Sequence, residues 1–340
     1  MAQTQAALKI CSRCILPETF PKIQFDPNGV CNYCLKEERM VAEAPAKKEK
    51  YRQALDDLIG SLRGKAPVYD AIMAFSGGKD SSYTLKLLKE RYSLRILALT
   101  FDNHFVSQAA WANIKVVTDT LNVDLVTVRP PWPAMRSLFT ATAKEDIFPA
   151  PTLLRASAMC TACIGMVKSL VLRYALEMSI PMAAFGWSPG QAPIQSAIMK
   201  TNPELIRQNQ KVLKAAVSDK VASEINRYFV PDEYFTAYRD RFPHNIHPLA
   251  FFDYDEEKIK GELESMHWTA PQDTDSNSTN CLLNAFANKC HLDRHGFHPY
   301  VWEIANMVRQ GVMKRQEGIE KIYVDQDQAM VDYARGRLEV

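Results

Sequence analysis

Short apolar runs alternate with helix-periodic segments through the first half of the chain. Residues 71–75, 94–100 and 123–128 have the composition of buried strands. Between them, residues 83–92 and 107–121 carry apolar side chains at helical spacing. Strands that alternate with helices at this spacing predict an α/β fold with a doubly wound parallel sheet. Such sheets bind ligands beyond the carboxyl ends of their strands.

The pattern continues past residue 150. Residues 166–178 predict a helix and residues 181–185 a fourth strand, followed by a glycine-rich turn that begins at Gly186. This turn either faces a ligand site at the sheet edge or is merely tight, and the pattern favours neither interpretation. The segment 200–245 is polar and aromatic, with one helical stretch at 215–228.

The last ninety residues predict mostly helix. A strand-like segment begins at residue 247, and helices are expected over 255–266, 300–310 and 314–323. These segments carry no motif of their own and predict a helical C-terminal extension.

A glycine-rich turn links the first strand to the first helix. Gly77 and Gly78 allow the backbone N–H groups to approach an anion, and the positive end of the helix points to the same place. Lys79 adds a cation. The expected phosphate-binding residues are Ser76, Gly77, Gly78, Lys79, Asp80, Ser81 and Ser82. The spacing matches neither the Walker loop nor the dinucleotide fingerprint, and the alternative is a capped turn without a ligand.

Composition narrows the class of protein. Lysine and arginine exceed aspartate and glutamate by two, so no overall positive field demands nucleic acid. We find no apolar run near the length of a membrane span and no leader-like N-terminus, and therefore expect a cytoplasmic protein without a membrane partner. Eight cysteines in such a protein indicate metal or redox chemistry before disulfides.

Two C-x2-C pairs near the N-terminus form the first cysteine motif. Cys11 and Cys14 are separated by sixteen residues from Cys31 and Cys34, and the segment around them has too few apolar residues for a core. Four thiolates at this spacing predict a closed structural Zn²⁺ site in a zinc-ribbon-like module. The alternative is four free thiols.

A second cysteine group lies further along the chain. Cys160 and Cys163 stand before the predicted 166–178 helix, where we expect a lowered thiol pKa, and Cys281 lies in a polar loop. Three thiolates are the ligand set of a [4Fe–4S] cluster with one iron left open. Two buried structural cysteines are the alternative. Cys290 is either a reserve ligand or a core residue.

The loop sequence Ser-Gly-Gly-Lys-Asp-Ser, residues 76–81, resembles the PP-loop of the ATP pyrophosphatases, the adenine nucleotide alpha hydrolases with a HUP fold. The resemblance implies that the loop grips the pyrophosphate of ATP with Mg²⁺ and that AMP is transferred to a carbonyl or amide oxygen. It implies catalytic roles for Lys79 and Asp80 and places Gly186 over the nucleotide. Asp102 is expected either to contact the ribose or adenine or to cap the following helix.

Two groups within this superfamily resemble the chain. The tRNA 2-thiouridine synthetases share the order of zinc knuckles, PP-loop and C-x2-C pair, which implies that Cys160, Cys163 and Cys281 are catalytic cluster ligands. The N-acetyl sugar amidotransferases resemble the chain strongly at residues 11–34 and on to about residue 130. That resemblance implies ammonia delivered by a glutaminase. The chain departs from those enzymes at Trp187, where they have glutamate.

We therefore predict an ATP-dependent enzyme that replaces an adenylated oxygen with sulfur, with amide transfer and a non-catalytic nucleotide-binding scaffold as alternatives. The expected partners are a small-molecule or tRNA acceptor and a sulfur donor or a glutaminase, and a homodimer is compatible. The predicted divisions are a zinc module (1–40), a helical connector (41–66), a PP-loop domain with a lid or substrate insertion at 187–245 (67–250), and the C-terminal part (251–340).

Overall fold

The structure is a computed structural model that describes residues 8–42, 44–191, 193–275, 277–278 and 280–340. The predicted residues that fall outside this range include the first seven residues of the zinc module, Ala192 of the turn after the fourth strand, and Ser276 and Thr279 of the Cys281 loop. The strands are β1 Ala71–Ala74, β2 Ile96–Phe101, β3 Asp124–Val128, β4 Met182–Phe185, β5 Ile198–Lys200 and β6 His244–Ile246.

Fifteen helices are assigned within the described residues. They are α1 Asn32–Ala42, α2 Ala44–Leu62, α3 Lys79–Tyr92, α4 Gln108–Leu121, α5 Trp132–Lys144, α6 Ala150–Leu153, α7 Ala158–Glu177, α8 Pro203–Ala215, α9 Asp219–Asn226, α10 Tyr234–Ala237, α11 Glu256–Glu264, α12 Asn284–His295, α13 Val301–Arg309, α14 Arg315–Ile322 and α15 Gln328–Leu338.

The six strands form one sheet in the order β3-β2-β1-β4-β6-β5. All neighbours pair in parallel except β5 and β6, which are antiparallel. The chain runs from β1 outward to β2 and β3 on one side of the sheet and then crosses back to β4 on the other side of β1. The crevice for a ligand in such a sheet lies at this switch point, outside the carboxyl ends of β1 and β4.

The side chains of the central strands alternate between two apolar cores. Ile72, Leu97 and Leu99 point into a core with α5, α7 and α12, while Met73 and Ala98 point into a second core with α3 and α4. Since both faces of the sheet are covered, the predicted doubly wound α/β class is confirmed.

The N-terminal module and the C-terminal helices share a third core. Phe20 stacks on Trp302 of α13 with ring centroids 5.5 Å apart, and Ile15 and Val301 are fully buried beside them. The residues around the first cysteines cannot bury enough apolar surface alone, and α13 and α14 supply the missing surface.

Several predicted elements differ in extent. The helix expected at 166–178 begins earlier, at Ala158, because Ser157 accepts a hydrogen bond from Cys160 N at 3.2 Å and caps it. By length and composition α7 could cross a membrane, although half of its apolar window is buried inside the fold. The strand-like segment expected from residue 247 is not a strand. The strand β6 ends just before it, at Ile246, because Pro248 begins a 3₁₀ turn.

Candidate functional site

The glycine-rich loop lies where the sheet reverses direction, between β1 and α3. Gly77 has φ +72°, and a Cβ there would lie 2.5 Å from the carbonyl oxygen of Ala110. A side chain is therefore excluded both by the backbone conformation and by α4. Gly78 is the N-cap of α3, with extended backbone at φ −74° and no side-chain cap, so the positive end of the helix dipole lies at the loop.

Hydroxyl and indole contacts hold the loop in place. The hydroxyls of Ser76 and Ser81 are 3.1 Å apart, and Ser81 Oγ donates to the Gly78 carbonyl at 3.0 Å. The indole N–H of Trp268, a fully buried residue, donates to the Gly77 carbonyl at 2.9 Å. These contacts hold the loop from both sides. The sequence analysis missed Trp268, which is almost two hundred residues away.

Gly186 follows β4 and touches the start of α3. A Cβ on Gly186 would lie 2.5 Å from Ser81 Cα and 2.8 Å from the Asp80 carbonyl oxygen. The missing side chain lets the turn after β4 approach the phosphate loop, which places both at one ligand crevice. Its contact with a nucleotide remains a prediction.

Lys79 is buried in a polar network on one side of the loop. Its ammonium lies 2.8 Å from the Tyr254 hydroxyl and 3.1 Å from a Glu256 carboxylate oxygen, and the Tyr254 hydroxyl donates to Asp80 Oδ1 at 2.8 Å. Burial disfavours the charge of Glu256, but Lys79 and then Lys321 outweigh burial and lower its pKa to about 2. Burial and the adjoining carboxylates raise the pKa of Tyr254. The sequence analysis missed both partners.

A second acidic group is buried behind the turn after β4. Glu303 of α13 accepts a short hydrogen bond from the Ser188 hydroxyl and is 8% exposed. Burial raises its pKa to about 7, and the negative charge of Asp80 adds to the effect. Glu303 was also missed, because α13 lies far from the loop in sequence and shows only apolar periodicity.

The second cysteine group assembles beside β2. Asn103, two residues beyond the end of β2, has its amide nitrogen 3.5 Å from Cys163 Sγ and 3.6 Å from Cys281 Sγ. The Cys281 loop reaches this place through a bridge to Val106, and Cys160 lies one turn before Cys163 on α7. Cys163 and Cys281 thus share the Asn103 amide at the carboxyl edge of the sheet, while Cys160 Sγ lies 3.7 Å from Asn284 Oδ1.

The electrostatics of these thiols correct one expectation. Burial raises the pKa of Cys160 to about 12 and also raises that of Cys163 and Cys281, and the neighbouring Cys281 adds to the shift of the other two. The predicted lowering by the helix N-terminus is wrong, because desolvation outweighs the helix dipole. Cys290 is half-buried on α12 and packs against the core.

Asp102 is occupied by protein groups. It is buried, its Oδ1 accepts from His104 N at 2.8 Å, and its Oδ2 lies 3.2 Å from Arg129 Nε. It stabilises the turn after β2, whereas Ser107 caps α4 with a bond from Ala110 N at 3.0 Å. The expected helix-capping role is therefore wrong, and nucleotide contact by Asp102 remains a prediction.

The four N-terminal cysteines form a buried group whose sulfurs all lie within 4.8 Å of one another. Cys11 and Cys34 sulfurs are 3.9 Å apart, and those of Cys14 and Cys31 are 3.7 Å apart. Four sulfurs at about 2.3 Å from a central Zn²⁺ would be separated by roughly 3.8 Å in a tetrahedron. The observed spacing therefore fits one tetrahedral metal ion.

The C-terminal region fastens this cysteine group. Arg315 of α14 donates to the carbonyl oxygens of Cys14 and Cys11, each at 2.8 Å, and the Tyr323 hydroxyl bonds to the Ile15 carbonyl. The carbonyl oxygens in and beside this cysteine group thus accept hydrogen bonds from side chains more than three hundred residues later in the chain. None of the eight cysteines, all of which lie within the described residues, forms a disulfide.

Comparison with known proteins finds distant similarities only. No protein-family model matches it. An uncharacterized protein of Methanocaldococcus jannaschii is 23% identical over 313 residues, which cover 92% of each chain. Similar solved structures include the U34-tRNA thiolase NcsA from Methanococcus maripaludis with its [4Fe–4S] cluster, at 14% identity and a TM-score of 0.37, covering 98% of this chain and 89% of that one.

Two further structures are similar. The NMN synthetase of Francisella tularensis is 11% identical with a TM-score of 0.38, covering 79% of this chain and 95% of that one. The NH3-dependent NAD synthetase of Campylobacter jejuni is 12% identical with a TM-score of 0.30, covering 66% and 98%. Because these TM-scores are below 0.5, the similarity carries no information about substrate.

The sheet order, the loop between β1 and α3, and the glycine after β4 define an α/β protein with a glycine-rich loop at the switch point of its sheet. The resemblance to the PP-loop ATP pyrophosphatases rests on the loop sequence at residues 76–81, and the particular reaction is a matter for proposal.

Proposed function

We propose that this chain is an ATP-dependent enzyme that adenylates a carbonyl or amide oxygen and then replaces that oxygen with sulfur. The acceptor oxygen attacks the α-phosphorus of ATP, and pyrophosphate leaves. A sulfur nucleophile from the donor then attacks the activated carbon, and AMP departs with the original oxygen. The overall reaction consumes ATP and the sulfur donor and releases pyrophosphate, AMP and the thiolated acceptor.

The observation that carries this proposal is the proximity of two sites at the sheet edge. The phosphate loop follows β1, and Asn103, which contacts two of the three thiols, follows β2. β1 and β2 are paired directly, and paired strands lie about 4.8 Å apart. An acceptor activated at the loop would therefore have thiol chemistry beside it.

In the first step the residues of the loop would hold the nucleotide. The N–H groups of Gly78 and of the first turn of α3 point to the phosphates, and Lys79 exchanges its Tyr254 and Glu256 contacts for phosphate oxygens. Its charge then stabilises the negative charge that develops on pyrophosphate. Asp80 would hold Mg²⁺, since hard cations prefer carboxylate oxygen.

The three thiols fit an iron–sulfur cluster by chemistry and position. Cys160, Cys163 and Cys281 are half-buried thiol donors, and the Asn103 amide adds a hydrogen-bond donor toward two of the sulfurs. When bound there, a [4Fe–4S] cluster supplies one iron without a protein thiolate, where sulfur can be held. The four N-terminal cysteines would hold a structural Zn²⁺ instead, because four thiolates leave no open position.

Anaerobic purification with iron and sulfide analysis tests the cluster. We expect Cys281→Ala to lose iron and acceptor thiolation, while Cys290→Ala, a matched core cysteine, keeps both. Pyrophosphate release should disappear in Lys79→Ala. Zinc as the sole metal, together with unchanged activity of Cys281→Ala, would contradict sulfur transfer. Ammonia-dependent turnover would instead favour amide transfer, and the absence of turnover with every acceptor would favour a nucleotide-binding scaffold.

A further inference from the structure

Two buried carboxamides contact the three thiols of the second cysteine group. Asn103, which follows β2, and Asn284, the first residue of α12, are only 6% and 2% exposed. The amide nitrogen of Asn103 lies 3.5 Å from Cys163 Sγ and 3.6 Å from Cys281 Sγ. The amide oxygen of Asn284 lies 3.7 Å from Cys160 Sγ. The two carboxamides therefore present opposite ends of their dipoles to the thiols.

The orientation of the Asn103 amide is fixed by the turn in which it lies. Its oxygen accepts a hydrogen bond from the backbone N–H of Phe105 at 2.9 Å. A backbone N–H can only donate, so the amide oxygen must face Phe105 and the amide nitrogen must face the sulfurs. Asn103 therefore offers N–H donors to Cys163 and Cys281.

The orientation of the Asn284 amide is fixed in the opposite sense. Its nitrogen donates to Asp275 Oδ1 at 3.0 Å, and its oxygen accepts from the Tyr300 hydroxyl at 3.0 Å. A carboxylate can only accept, so the nitrogen must face Asp275. The oxygen is left facing Cys160, and it cannot exchange places with the nitrogen without losing the bond to Asp275.

These orientations make the three sulfurs unequal as metal ligands. A thiolate that binds a metal carries negative charge, which an N–H donor stabilises and a carbonyl oxygen opposes. Cys281 also receives hydrogen bonds from the backbone N–H groups of Leu283 and Asn284. The Ser157 hydroxyl lies beside Cys160 but is free to rotate, so Asn284 is the fixed contact that sets the polarity at this sulfur.

We propose that Asn103 and Asn284 are positioning residues that divide the thiol group into a firmly held pair and a detachable ligand. Asn103 strengthens the hold of Cys163 and Cys281 on a metal, and Asn284 makes Cys160 the ligand that is released first. When the metal–sulfur bond to Cys160 breaks, the thiolate keeps both electrons, and an anionic sulfur of the donor takes the vacated position. This inference rests on the proposed function, because it assigns roles within the thiol site of the same reaction.

Iron retention by cysteine variants of the full-length protein tests the division. Each variant is reconstituted anaerobically with iron and sulfide, and the bound iron is counted after exposure to the ferrous chelator bathophenanthroline. Cys160→Ala should keep at least about threefold more iron than Cys163→Ala or Cys281→Ala, since it removes the weakest of the three ligands. Equal iron loss in all three variants would overturn the division.

Asn103→Asp reverses the polarity toward the firmly held pair. It keeps an oxygen for the Phe105 N–H and replaces the donor that faces the sulfurs with a second oxygen. Iron release should become at least about tenfold faster, and the midpoint potential of the bound cluster should become more negative. The matched control is Asn245→Asp on β6, whose amide donates to the Thr201 hydroxyl at 3.0 Å, and it should change neither quantity.

Asn284→Ala has an expected effect of the opposite sign. It removes the oxygen that faces Cys160, so iron release should become roughly two- to tenfold slower. A merely structural role predicts faster release, because the variant also loses the contacts to Asp275 and Tyr300. Tyr300→Phe loses one of those contacts and leaves the oxygen in place, so it should not slow release.

Three further results would overturn the assignment. They are faster iron release from Asn284→Ala than from the wild type, an unchanged potential in Asn103→Asp, and a wild-type protein that takes up no metal at these thiols. A failure of the proposed function is seen separately, through pyrophosphate release and acceptor thiolation. If both reactions are absent while the variants differ as expected, the division of the thiols stands and sulfur transfer is refuted.

Discussion

Glu303 predicts a pH-dependent loss of stability that can be worked out from its surroundings. Burial raises its pKa from an ordinary value of 4.5 to about 7. Because the folded-state pKa is raised, the protonated form is favoured in the fold. Stability from this group is therefore fully present below pH 4.5 and is lost as the pH rises through about 7. The difference of 2.5 pKa units corresponds to about 3 kcal/mol in total.

The assay is urea denaturation of wild type and Glu303→Gln from pH 5 to pH 8. About 2.5 kcal/mol of the loss falls in this range by the linkage relation. Glutamine keeps an acceptor for the Ser188 hydroxyl but cannot ionise, so the variant should lose about 2.5 kcal/mol less over the range. Glu264→Gln, an exposed residue at the end of α11, should track the wild type. Parallel pH profiles for wild type and Glu303→Gln would refute the reasoning.

Three further predictions concern the loop and the N-terminal cysteines. Gly186→Ala should lower the free energy of unfolding by about 1–3 kcal/mol, because its Cβ would lie 2.5 Å from Ser81 Cα; an unchanged denaturation midpoint would contradict this. Trp268→Phe removes the hydrogen bond to the Gly77 carbonyl and should lower the free energy of unfolding by about 1–3 kcal/mol. It should also weaken ATP binding, measured by calorimetry; wild-type affinity would show that the loop keeps its conformation without this bond. Cys14→Ser should reduce bound zinc, measured by mass spectrometry, and sensitise the fold to chelators; full zinc occupancy would argue against a four-thiolate site.

The loop and the central strands could be predicted from the sequence because their signals are local. An apolar run, two glycines and a helical period lie within some twenty residues, and the observed β1, loop and α3 follow that order. The start of α7 was misplaced by eight residues, because the cysteines, threonine and alanines of its first turns carry little apolar periodicity.

The partners of the loop could not be predicted in the same way. Tyr254, Trp268 and Glu303 reach it from segments that are distant in sequence, and nothing in their own neighbourhood marks them as site residues. The cysteines were found because their spacing is informative in itself. The direction of the thiol pKa shifts could not be predicted from the sequence, since it depends on the burial that only the packed fold provides.

The C-terminal region, which the sequence presents as a helical extension, connects all three candidate sites. The Cys281 loop bridges to Val106, which follows β2, Glu303 lies beneath the turn after β4 beside the glycine-rich loop, and Arg315 donates to a backbone carbonyl of the N-terminal cysteine group. Asn277 in the cysteine loop donates to the Lys321 carbonyl at 3.0 Å, and the ammonium of Lys321 lies 3.6 Å from Glu256, which holds Lys79. If ATP binds as proposed and draws Lys79 toward phosphate, Glu256 would lose one of its cations, and α14, which carries Lys321, would transmit that change to both cysteine groups. A loss of zinc should accordingly weaken ATP binding without any contact between the two ligands.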